Sequence, residues 1–77
     1  MVLEKIIDMV AAQFMVEASQ ISRETRFVED LSADSLDVVE LALGLEREFS
    51  LPEIPEESLK NISTVGDLAD YVASTVG

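Results

Sequence analysis

Ser35-Leu36-Asp37-Val38-Val39-Glu40-Leu41-Ala42-Leu43-Gly44-Leu45-Glu46-Arg47-Glu48-Phe49 is the stretch that decides the fold. Val38, Leu41, Ala42, Leu45 and Phe49 recur at helical spacing and define one stripe that must be buried. Asp34 or Ser35 is the cap, and Pro52 and Pro55 stop the helix and force an extended connection through Leu51 and Ile54. At 100 degrees per residue, Leu36, Glu40, Leu43 and Arg47 point away from the stripe, flanked by Val39 and Glu46 on one side and Asp37 on the other. Isolated exposed aliphatics are ordinary, but these stand together among carboxylates, the anatomy of a docking surface with an apolar centre and a charged rim.

Working outward, Leu3, Ile6, Ile7, Val10 and Phe14 have the same spacing and predict a first helix from Val2 to about Val16. Residues 18–34 have no sustained period and read as a long loop pinned by Ile21, Phe27, Val28 and Leu31. Glu56 to Asn61 reads as one short turn of helix. A last helix starts at Thr64, which forms a capping-box pattern with Asp67 and leads into the stripe Val65, Leu68, Ala69, Val72 and Val76. The expected fold is all-α: a small four-helix bundle, three helices long and one short, with a long loop between helices 1 and 2.

A chain of 77 residues buries only roughly 60 to 65% of its unfolded surface, so residues 1–77 are expected to form a single domain. It has no cysteine, which leaves stability to helix packing and suits a reducing cytoplasm. Glu4, Lys5, Asp8 and Gln13 interrupt the N-terminal apolar residues, unlike a signal peptide, and no run reaches the ~20 apolar residues of a membrane span. Five basic and sixteen acidic side chains give a net charge of 5 − 16 = −11. That balance argues against nucleic acid and anionic membranes as partners and favours basic protein surfaces. The self-repulsion also predicts a melting temperature that rises with ionic strength or added magnesium; a flat value across a salt series would contradict this.

Ser35 has no histidine to activate it, and the basic side chains are Lys5, Arg23, Arg26, Arg47 and Lys60. It is therefore read as a hydroxyl that another protein modifies, not as a nucleophilic catalyst. A serine after an aspartate at a helix start is ordinarily only a cap. A phosphate on it, however, would lie at the positive end of the helix dipole, partly opposed by nearby carboxylates. Asp30, Ser32, Asp34 and Asp37 do not form a calcium loop, because the sixth and twelfth positions from Asp30 are Ser35 and Leu41 where glycine and glutamate are needed. Gly44, Gly66 and Gly77 form no phosphate loop, and no pair of carboxylates is marked for acid–base work. No catalytic residue and no metal site are expected.

Phe27-Val28-Glu29-Asp30-Leu31, Ala33-Asp34-Ser35-Leu36-Asp37, Val39-Glu40-Leu41, Leu45-Glu46 and Glu48-Phe49 together resemble the acyl carrier protein family. The likeness continues through Glu53-Ile54-Pro55, Ile62-Ser63-Thr64-Val65 and Asp70-Tyr71-Val72. It implies that Ser35 receives a 4'-phosphopantetheine arm from coenzyme A by a magnesium-dependent phosphopantetheinyl transferase. The arm's thiol would then hold acyl intermediates as thioesters for fatty acid, lipid or polyketide enzymes. It further implies that Asp34, Asp37, Glu40 and Glu46 meet basic residues of partner enzymes, with Leu36 and Leu43 as apolar contacts, and that Leu45, Ile54, Leu59 and Ile62 line an acyl pocket. Leu59 stands where a smaller residue is common. Ser32 replaces a usual glycine, Arg47 interrupts an acidic row, Pro52 resembles an insertion, and the segment between Ile7 and Phe27 is long. These departures imply a specialised carrier; a monomer is expected. The rival reading is an acidic helical module that binds basic partners without covalent cargo.

Overall fold

The computed structural model describes the backbone of residues 2–76 and the side chains of residues 2–75, so the expected burial of Val76 lies outside the described residues. Five α-helices follow one another: α1 Val2–Phe14, α2 Phe27–Leu31, α3 Ser35–Glu48, α4 Glu56–Lys60 and α5 Val65–Val76. The all-α bundle is as the stripes predict, and α1 packs on both α3 and α5. Its centre is built from Ile6 and Val10 of α1, Leu41 and Leu45 of α3, and Val65, Leu68, Ala69 and Val72 of α5.

The long loop between the first two long helices is more structured than its sequence suggests. It contains a single 3-10 turn at Ala18–Gln20 and the five-residue α2. A helix this short shows no period to read, and it holds because the Asp30 carboxylate accepts the Arg26 N–H (2.8 Å) while Phe27 enters the core. The loop is also stitched to the start of α5 by its backbone. The N–H groups of Val65 and Gly66 donate to the carbonyls of Thr25 and Arg23, both at 2.9 Å, and the Phe27 N–H donates to the Ser63 carbonyl at 3.1 Å. The Thr25 and Arg23 carbonyls thus satisfy the first amides of α5, and the Ser63 carbonyl the first amide of α2, which no helix can satisfy internally. A Cβ on Gly66 would stand 3.0 Å from the Arg23 carbonyl oxygen, so this glycine permits the close approach. Thr25 is buried with its Oγ1 accepting the Ser22 N–H at 2.9 Å, and Arg23 grips both oxygens of Asp70 at 2.9 Å.

α1 stops at Phe14, two residues short of the expected end, because Met15 turns into the left-handed region at φ 57°. Ser32 does the same after α2, at φ 55°. That conformation costs an L-residue roughly 1–2 kcal/mol, whereas glycine adopts it freely at the cost of some unfolded-state entropy. Ser32→Gly is therefore expected to stabilise the fold by about 0.5–1 kcal/mol, seen as a rise of several degrees in thermal melts.

Thr64 and Asp67 form the reciprocal cap read from the sequence. The Asp67 N–H donates to Thr64 Oγ1 (3.1 Å), and the Asp67 carboxylate accepts from the backbone N–H groups of Ser63 and Thr64 at 3.1 and 3.2 Å. These donors, Ser63 first, hold the Asp67 carboxyl below the usual aspartate range. A depressed folded-state pKa contributes stability that is present above the unfolded value of about 4 and is lost as pH falls through the folded one. The Asp67→Asn variant should melt below the parent at neutral pH, and the gap should narrow progressively below about pH 4. A gap constant with pH would show that shape, not charge, makes the cap.

Candidate functional site

Ser35 is the first residue of α3, and the residue before it caps the helix. Asp34 Oδ1 accepts the Asp37 N–H at 2.9 Å, and Asp37 Oδ2 accepts the Asp34 N–H at 3.1 Å. The cap is thus an aspartate pair, and among the described residues the Ser35 hydroxyl makes no hydrogen bond within the protein and is exposed. The turn that carries it is braced from behind: Gln13, near the end of α1, donates through Nε2 to the Asp37 carbonyl at 2.7 Å. Further along, Gly44 weakens the isolated helix by up to ~1 kcal/mol, and a Cβ there would stand 3.2 Å from the terminal methyl of Met9.

Beside Ser35 opens a cleft of about 820 Å³ between α2 and α3 on one side and α4 with the residues after it on the other. Its apolar lining comes from Phe27, Val28, Ala33, Leu36, Val38, Val39, Leu59 and Ile62. The four residues expected to form an acyl pocket divide. Leu59 and Ile62 line the cleft, whereas Leu45 and Ile54 are buried and do not reach it. Leu45 belongs to the buried stripe of α3, in the core cluster shared with residues of α1 and α5. Phe27, Val28, Ala33 and Val38 form cleft wall that sequence reasoning did not assign. The available signal was the pair Phe27-Val28, one apolar side chain directed inward and the next about 100 degrees around the helix.

The outward face of α3 carries Leu36, 63% exposed, and Leu43, 49% exposed, with Val39 at 44% beside them. Val28 of α2, read from the sequence as one of the anchors of the loop, is instead 65% exposed and extends that apolar surface, while Phe27 beside it enters the core. Asp34 and Glu40 are exposed on the rim. Asp37 and Glu46 are only half exposed and already engaged: Asp37 in the cap, and Glu46 through Oε2, which accepts the Ile54 N–H at 3.0 Å and holds the connection to α4. Among the described residues no grouping of three or more metal-ligating side chains stands ready for a metal ion. Among the described residues no helix is long and apolar enough to cross a membrane.

An unengaged hydroxyl at a helix start, at the rim of a partly apolar cleft, suits a protein that bears a covalent group. Residues 4–72 match the family model described as a phosphopantetheine attachment site. The acyl carrier protein of Clostridium acetobutylicum is 46% identical over 72 residues, covering 94% of this chain and 92% of the relative. That of Porphyromonas gingivalis is 48% identical over 69 residues, covering 90% and 87%. A solved structure of acyl carrier protein from Enterococcus faecalis superimposes with a TM-score of 0.81 at 39% identity, covering 96% of this chain and 92% of that one. The chain belongs to the acyl carrier protein family. It is accordingly a carrier and not a catalyst, its cofactor is covalent 4'-phosphopantetheine, and it works with acyl-processing enzymes. These matches favour the carrier over the cargo-free interaction module.

Proposed function

We propose that Ser35 is the attachment point, that residues 1–77 act as one carrier domain, and that α3 is the surface presented to partner enzymes. The observation that carries this reading is the division of labour at the start of α3, where Asp34 caps and Ser35 remains unengaged. A phosphopantetheinyl transferase uses the Ser35 hydroxyl as acceptor. The Ser35 Oγ–phosphorus bond forms as the bond from phosphorus to the 3',5'-ADP part of coenzyme A breaks, and the hydroxyl proton leaves to the transferase or solvent. The cleft fits such a group, since Ser35 lines it together with the apolar Leu59 and Ile62. Once bound, the group supplies a terminal thiol on which an acyl chain is held as a thioester, chemistry that a chain without cysteine lacks.

Leu36 and Leu43 form the apolar centre of the docking face, and Asp34 and Glu40 meet arginine and lysine of the partner; Asp37 and Glu46 contribute their remaining oxygens. A net charge of −11 speeds encounter with basic enzymes and opposes self-association, so the carrier acts as a monomer. Its place of work is the cytoplasm. Incubation with coenzyme A, magnesium and a phosphopantetheinyl transferase should give one adduct, which peptide mass spectrometry maps to Ser35. No adduct, or one mapped elsewhere, overturns the assignment.

A further inference from the structure

We infer that Lys60 is an anion clamp for the phosphodiester that modification creates at Ser35. This rests on the attachment reading above. Lys60, the last residue of α4, lines the same cleft as Ser35. The other charged residues lining that cleft are Glu29, Asp34, Glu53 and Glu56, all carboxylates. A phosphodiester anchored at Ser35 is therefore repelled by each of the four, and the one attraction available from a lining side chain comes from Lys60.

The remaining cations are committed or remote. Lys5 pairs with Glu48, Arg23 with Asp70, and Arg26 with Glu29 and Asp30. Arg47 stands twelve residues along α3 from Ser35, about 18 Å up the helix. Lys60 makes no ion pair among the described residues, although Glu56 stands one helical turn before it. Its ammonium is a point charge on a flexible four-carbon stem, suited to following a phosphate that is itself tethered. Closing on that phosphate draws the first part of the arm against Leu59 and Ile62, the apolar wall next to Lys60, instead of leaving it to swing in solvent. Lys60 is a positioning residue in this account, and it acts on the arm whichever acyl group is carried.

The test uses the full chain loaded at Ser35, with loading verified by mass. In wild-type protein at low salt, nuclear Overhauser cross-peaks are expected between the geminal methyls of the pantetheine and the Leu59 and Ile62 side chains. They should be lost in Lys60→Gln, retained in Lys60→Arg, and lost from the wild type in high salt. Lys60 is exposed, so amide spectra of the unloaded variants should match the parent and confirm an intact fold. Cross-peaks absent from the wild type, or equally strong in Lys60→Gln, overturn the clamp. Failure of wild-type loading would overturn the attachment reading, and the clamp with it, and that failure is read from the mass alone.

Discussion

Ser35→Ala is expected to abolish loading: after coenzyme A and transferase, the variant should keep its unmodified mass while the parent shifts completely. The same substitution leaves thermal stability within about 3 °C of the unmodified parent, since an exposed surface change is ordinarily worth no more than about 0.5 kcal/mol. The two expectations separate because the Ser35 hydroxyl makes no hydrogen bond within the protein and Asp34 does the capping. Asp34→Ala gives the opposite contrast. It removes the acceptor for the Asp37 N–H while keeping the backbone N–H that donates to Asp37 Oδ2, at a cost of about 1 kcal/mol in stability. A large loss of stability in Ser35→Ala would show that the serine is a structural cap after all.

Phe27→Ala is the most damaging single change expected elsewhere. Phe27 is 3% exposed, opens α2, and fills the core on one side while forming cleft wall on the other. Truncating a buried phenylalanine costs about 3–5 kcal/mol, against a total of order 4–12 kcal/mol for a chain of this size. The melting temperature should fall by more than about 12 °C, with a matching shift in the urea midpoint. Phe27→Leu keeps most of the volume and should cost less than about 1.5 kcal/mol. An alanine variant that melts within a few degrees of the parent would show that the crossing segment does not depend on this anchor.

The long helices are legible in the sequence because each buries a stripe that repeats over three or more turns, as Ile6 and Val10, Leu41 and Leu45, and Leu68 and Val72 do. The α5 cap is legible for a different reason: Thr64 and Asp67 are three residues apart and interact locally. What escapes the sequence is non-local. The amides of Val65 and Gly66 find carbonyls some forty residues away, and no pattern of side chains announces a backbone-to-backbone contact. The cleft escapes in the same way. The stripe of α3 marks Leu45 for the core, but α4 is too short to show a period, and only its placement across from α2 and α3 turns Leu59 to the cavity. Glu46 has the residue type of a rim contact, yet the chain reversal after α3 brings the Ile54 amide to it.

The stitching of residues 23–27 onto the start of α5 sets a condition on biosynthesis. A nascent chain still lacking its last helix has nowhere to dock those residues and no Val65, Leu68 or Val72 to close the interior. Prematurely terminated products lack these partners and are expected to be less stable and more readily proteolysed than the finished chain.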